Sequence, residues 1–317
     1  MIHAIFNQDL LHAIETLFAV SVLILIVLMA RRAVSRQFGA GIVYLLWAIP
    51  VVRFLLPPMP MSVSILNFEV AAPEAAAVVA EAADWVAAPD VPIAGVSFET
   101  APIAITQEAP ALLSADHMLP VLITLAIAAW IAGAVLLTAR GLYSHLCFMQ
   151  TVDREAMPVS GPMADLVDRI AAETGLRRPP RLVASLISRG PFVTGLFRPV
   201  IVIPACFEDD YTPTEARAAL AHELMHVRRG DLWALQVCEL FVAAMWFNPL
   251  AYIARNAFRT DQEAACDADV LARCQTSPHT YGSALIKAAR LHLPEVAIAA
   301  GRLPLTHALK ERLTRMT

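Results

Sequence analysis

Residues 232–254, LWALQVCELFVAAMWFNPLAYIA, decide how this chain folds. Their length and apolarity suit a helix crossing ~30 Å of hydrocarbon, which takes ~20 residues. Yet Asn248-Pro249 falls in the final third of the run, and proline disfavours helix in the residue before it. Gln236 and Glu239 also favour burial in protein over contact with lipid. The alternative is two helices, about 231–247 and 250–273, that turn back within a cytoplasmic domain or graze the bilayer. What flanks the run separates the two readings.

Before it stands ARAALAHELMHVRRGDLW, residues 216–233. TPTE at 212–215 opens a helix there: Thr212 as N-cap, Pro213 at the first helical position and Glu215 closing a capping box. Gly230 fits its C-terminal stop. On that helix His222 and His226, four apart, share a face and can point both imidazoles at one ion. Glu223 is turned roughly 100° from His222, beside the ion rather than on it. Two neutral imidazoles suit Zn²⁺, which in catalytic sites takes three protein ligands and keeps one position for water. Glu223 would accept that water's proton and hand it to a leaving amine.

After the run comes FRTDQEAACDADVLARC, residues 258–274. Glu263 can complete a triad of two histidines and one glutamate. Asp267, one turn on, can accept the N–H of a zinc-bound imidazole and fix its tautomer. The competing reading is a helix with two surface histidines and a solvated acidic face that includes Asp261 and Asp269. If 232–254 crossed the bilayer straight, Glu263 and the histidines would lie on opposite sides and no site could form. A zinc site therefore requires two helices.

Composition places this region beside a membrane. The chain has 317 residues, 58% hydrophobic and 16% charged, against about 25% charged in an ordinary soluble protein. Three apolar runs, about 10–30, 38–56 and 118–139, predict transmembrane helices rather than buried core helices. Arg31-Arg32 stands where a cleaved signal peptide needs small residues. Arg31, Arg32 and Arg36 separate the first two runs, whereas no Lys or Arg occurs between Phe54 and Ala139. Positive charge resists translocation, so the N-terminus and residues 58–117 are expected outside and everything after Arg140 in the cytoplasm. The five cysteines, Cys147, Cys206, Cys238, Cys266 and Cys274, all fall on the cytoplasmic side, with no C-x-x-C pair that would suggest a cysteine zinc knuckle.

The expected fold is a mostly α membrane protein: three transmembrane helices plus a cytoplasmic α+β zinc peptidase domain. Its parts are 1–57 (two spans), 58–117 (an acidic, Ala/Pro-rich outer loop), 118–140 (the third span), 141–292 (the peptidase domain) and 293–317 (a linker). Within the domain, MADLVDRIAAETGL (163–176) is an amphipathic helix, RPPRLVASLI introduces a strand, and GPFVTGLFRPVIVIP (190–204) is a hairpin about Gly195. The strand VIVIP is a candidate for pairing with an extended substrate, or simply a core strand. Tyr281, His279 and Arg259 are candidate donors to a transition-state oxyanion, each with an ordinary structural reading beside it.

GPFVTGLFRPVIVIP, AHELMHVRRGDLW, MWFNPLAYIARNAFRTDQEAACDADVL (245–271) and Tyr281 resemble the BlaR/MecR-type membrane zinc metallopeptidases, the antirepressor and sensor-transducer peptidases of bacterial β-lactam resistance and their relatives. The resemblance covers nearly the whole chain. It implies a gluzincin site with one Zn²⁺ per chain, held by His222, His226 and Glu263, with Glu223 catalytic and Asp267 supporting. It implies an enzyme of the bacterial inner membrane that hydrolyses peptide bonds in a cytoplasmic, repressor-like protein and in itself, without touching nucleic acid. Residues 293–307 are a candidate self-cleavage region or an ordinary linker toward a further transmembrane helix. No S-x-x-K sensor motif is present, so β-lactam binding is not carried over. The alternatives are a prenyl-protease or quality-control type membrane metalloprotease, and a non-catalytic metal-binding receptor. The intact Glu223 disfavours the receptor.

Overall fold

The computed structural model describes residues 2–57, 115–186, 188–274, 276–291 and Arg312. The expected outer loop up to residue 114 and the candidate self-cleavage region lie outside the described residues.

Helix α1 (Ile2–Phe38) leads into α2 (Ala40–Leu46) and α3 (Ala48–Leu55), and α4 covers Ala115–Glu155. Among the described residues two helices, His12–Phe38 and Pro120–Glu155, are long and apolar enough to cross a membrane. Over the second expected crossing, 38–56, the apolar stretch is two short helices within Ala40–Leu55. Pro50 supplies the reason. It has no N–H to give the carbonyl one turn back, so the helix breaks at Trp47 and restarts with Pro50 in its first turn.

A small sheet follows from β1 (Met157–Pro158), β2 (Arg181–Ser185), β3 (Phe192–Thr194) and β4 (Val200–Pro204), in the order β1-β2-β4-β3. Strand β4 runs parallel to β2 and antiparallel to β3. The expected hairpin is therefore present, but VIVIP is a central strand, paired on both sides. The edge strands are β1 and β3, so the expectation that VIVIP receives a substrate strand is corrected. Alternation along β4 gives the sheet two buried faces. Ile201 and Ile203 pack with α5 (Pro162–Thr174) and α7 (Pro213–Arg229), while Val200 and Val202 pack against Val152 at the end of α4. Between β4 and α7 lies the one-turn α6 (Phe207–Asp210).

Helix α7 starts where its capping box says it should. Glu215 N–H donates to Thr212 Oγ1 at 3.4 Å and Thr212 N–H donates to Glu215 Oε2 at 3.0 Å. It is enclosed on most sides: Leu220, Leu224 and Met225 have no exposed surface, each burial stabilising by about 1.5–3 kcal/mol. Gly230 ends it in the left-handed region at φ 72°, where a side chain would be strained, and turns the chain at once into α8 (Asp231–Ala244).

Helices α8 and α9 (Pro249–Arg273) form the two-helix arrangement. Asn248 caps α9 by accepting from Leu250 N–H at 2.9 Å, and its amide donates to Ser21 of α1 at 2.9 Å. On the other side Trp130 of α4 donates to the Ala244 carbonyl at 2.6 Å. Trp246 lies so close to α4 that a Cβ on Gly133 would meet its indole nitrogen at 2.5 Å. Ser21 and Trp130 both belong to the two long apolar helices. The hairpin tip thus sits against those helices rather than inside the sheet-containing part. Trp233, Val237, Leu240, Phe247 and Ile253 face outward along it, an apolar surface of the kind lipid tolerates and water does not. The last described helix, α10 (Pro278–Leu291), packs on α7.

Candidate metal centre

Helices α7 and α9 bring together the three groups that the sequence places as ligands. His222 Nε2 and His226 Nε2 stand 3.2 Å apart. Glu263 spans them, with one carboxylate oxygen 3.4 Å from His222 Nε2 and the other 3.6 Å from His226 Nε2. A tetrahedral ion with ligand bonds of ~2.05 Å sets its ligand atoms ~3.3 Å apart. Each of these separations is close to a ligand–ligand edge of a zinc tetrahedron, with Glu263 meeting the two rings through different oxygens, so the donor set fits the ion in number and chemistry and comes near it in spacing.

The far nitrogens are held as well. His226 Nδ1 lies 2.7 Å from Asp231 Oδ2. His222 Nδ1 lies 2.7 Å from Tyr281 OH, which donates to Asp267 Oδ1 at 2.7 Å. Here two expectations change. Asp267 stands 3.5 Å from His222 Nδ1, with Tyr281 hydrogen-bonded to both, while the carboxylate directly on an imidazole is Asp231. Tyr281 is not an oxyanion donor, because its hydroxyl lies behind the imidazole, on the nitrogen turned away from Glu263. His279 is exposed, and Arg259 lines the cleft with its guanidinium 2.7 Å from Glu239.

A cysteine joins this cluster. His222, His226 and Cys266 also form a group able to hold a metal ion. Cys266 Sγ approaches His222 at Nδ1, 3.5 Å away, where Tyr281 is already bonded. The sequence offered no hint of it, since Cys266 has no paired cysteine at metal-ligand spacing.

Electrostatics separate the two glutamates. Against its partial burial, the His222 hydrogen bond and the charges of His222, His226 and Arg312 hold Glu263 well below the usual carboxylate range, the ionised state a ligand needs. Burial pushes Glu223 the other way; the charges of His222 and His226 and a bond from Val193 N–H oppose the rise without cancelling it. At His226 burial disfavours the charged ring, but Cys266 and the Asp231 hydrogen bond raise its proton affinity well above the ordinary value. Arg312 donates to both Asp267 oxygens at 2.8 and 2.7 Å and lies 3.2 Å from Glu263, so one positive charge is shared between two carboxylates.

The site opens into a cleft of ≈ 550 Å³ lined by Phe192, Val193, Leu232, Leu235, Arg259 and Leu285 among others. Edge strand β3 forms one wall, and its Val193 amide reaches Glu223.

Comparison with known proteins bears on the whole chain. The family model described as BlaR1 peptidase M56 matches residues 11–316. The methicillin resistance mecR1 proteins of Staphylococcus aureus and Staphylococcus epidermidis are 33% identical to the chain over 127 residues, covering 39% of the chain and 22% of their own length. The regulatory protein BlaR1 of Bacillus licheniformis is 26% identical over 161 residues, covering 50% of the chain and 27% of its own length. The chain thus spans about a quarter of the length of these curated relatives.

Proposed function

The chain belongs to the BlaR1 peptidase M56 family, and on that premise we propose that it is a zinc endopeptidase of the bacterial inner membrane that cuts a cytoplasmic, repressor-like protein in transmembrane signalling. The N-terminus is outside, the second apolar stretch completes a third crossing, and the gluzincin domain faces the cytoplasm at the membrane surface. One observation supports the proposal: the two Nε2 atoms stand 3.2 Å apart and each lies within 3.6 Å of a Glu263 carboxylate oxygen, with Glu223 lining the same cleft.

His222, His226 and Glu263 hold the metal; Cys266 is left out because it meets His222 on the occupied nitrogen. Zn²⁺ bound there supplies Lewis acidity toward a peptide carbonyl and toward water. Glu223, whose burial strengthens its grip on a proton, takes the proton from the attacking water and returns it to the leaving amine. Asp231 and Tyr281 fix the tautomers, so that each ring offers Nε2. A substrate segment lies extended along β3, its backbone pairing with the free edge while its side chains enter the cleft.

The test is Glu223→Gln beside the unaltered full chain, with zinc content and fragmentation of the chain and of a co-expressed repressor measured. The variant is expected to keep zinc and lose cleavage by about 10²–10⁴-fold. Cleavage that persists in the zinc-loaded variant overturns the role of Glu223. Zinc retained with no cleavage by either form favours the receptor alternative.

A further inference from the structure

Behind His226 a chain of hydrogen bonds leads to the apolar N-terminal helices. One oxygen of Asp231 is 2.7 Å from His226 Nδ1, and the other accepts from Tyr44 OH at 3.0 Å. Gln262 Nε2 donates both to Tyr44 OH, at 3.1 Å, and to the Asp231 carbonyl, at 3.0 Å. Arg229 Nε adds a bond of 3.2 Å to the same Asp231 oxygen that faces His226, and its guanidinium lies over the Tyr44 ring, 5.0 Å from the centroid. Asp231 and Gln262 are buried. Tyr44 stands on α2, in the stretch the sequence reads as the second crossing, 187 residues away from Asp231.

A carboxylate with both oxygens committed cannot swivel without breaking a bond in a buried place, where a lost partner is costly. Remove the Tyr44 hydroxyl and only the Asp231 oxygen facing α2 loses its donor. The carboxylate can then rotate about the oxygen that His226 and Arg229 share, and the direction of the acceptor behind His226 is no longer fixed. We infer that Tyr44 is a positioning residue: it locks Asp231, and through it the tautomer and aim of His226, so that metal affinity depends on where α2 sits against α8 and α9. The inference rests on the metal-site reading above. It gives the N-terminal helices a physical hold on the metal centre, by a contact that a shift of α2 would make or break.

Tyr44→Phe is a mild change, since the ring keeps its place 5.4 Å from Phe258 and beneath Arg229. Partners behind a metal-bound imidazole govern metal affinity by about 10–100-fold, and Tyr44 lies one bond further out, at the lower end of that range. The experiment measures Zn²⁺ affinity of the full chain in detergent micelles by chelator competition, with the absorption spectrum of bound Co²⁺ as a second readout. Tyr44→Phe and Gln262→Met are each expected to bind Zn²⁺ about tenfold more weakly, with a shifted Co²⁺ spectrum. Trp47→Phe removes a 3.0 Å bond to Asp261 from the same helix pair without touching Asp231, and is expected to keep unaltered affinity. Wild-type affinity and spectrum in Tyr44→Phe overturn the inference, as does equal weakening in Trp47→Phe. Should Tyr44→Phe fail to fold, Gln262→Met decides on the same criterion. His226→Ala is expected to lose zinc; zinc retained there overturns the metal-site reading itself, and an affinity change confined to the other variants cannot do so.

Discussion

Helix α9 passes through two environments. Its first half packs Ala251, Ala254 and Phe258 against Val20, Ile24 and Val27 of α1 and against Trp47. Its second half buries Asp261, Gln262 and Asp267 and presents Glu263 to the histidines. In the first half the contacts are non-directional, and small residues let α1 approach. In the second, each named polar group meets specific partners: Asp261 accepts from Arg31 at 3.1 Å and Trp47 at 3.0 Å, Gln262 donates to Tyr44, and Asp267 accepts from Tyr281 and Arg312. The first half holds the helix in place by area. The second sets angles, and a buried polar group that loses its partner costs more than a lost methyl contact.

That contrast can be broken by experiment. Asp261→Ala strips Arg31 and Trp47 of a shared acceptor and is expected to destabilise the full chain in micelles by about 3–5 kcal/mol, read from the unfolding midpoint. A loss below about 1 kcal/mol would make the two halves energetically alike. Next in size is the metal. Zn²⁺ at 100 times its dissociation constant should stabilise by about 2.7 kcal/mol, and hydrogen exchange should slow in residues 259–270 while 249–258 change little. Equal protection of both halves would contradict the division, and chelation should reverse the effect. Ala251→Leu, at a position with no exposed surface against α1, should cost about 1–3 kcal/mol by overpacking and leave zinc content unchanged. Ile253→Ala, on the outward face, should shift stability in micelles by less than about 0.5 kcal/mol. Smallest of all, Cys266→Ala should leave zinc stoichiometry as it is; loss of zinc would put the thiol among the ligands.

Legibility followed distance along the chain. The ends of α7 could be read because Thr212, Pro213, Glu215 and Gly230 act within one turn. The break at Asn248-Pro249 could be read for the same reason. The break at Trp47 was missed although Pro50 was visible: apolar composition counts residues toward a crossing and ignores a missing N–H inside it. Asp231 stood in plain view in the quoted GDLW yet drew no role, because nothing local distinguishes a helix-start aspartate from one turned back onto an imidazole. Arg312 carried no signal at all; its value comes from two carboxylates on another helix.

The sequence by itself determined the face shared by His222 and His226, the placement of Glu223 beside it, and the need for two helices between the histidines and Glu263. These follow from helix periodicity, capping and the chemistry of proline, which operate over a few residues. Only the tertiary structure decided what stands behind the imidazoles: Tyr281, 59 residues from His222, and Tyr44, bonded to Asp231 across 187 residues. Such pairs have no period and no spacing rule. They exist because packing buries a polar group and brings partners that can satisfy it from distant parts of the chain.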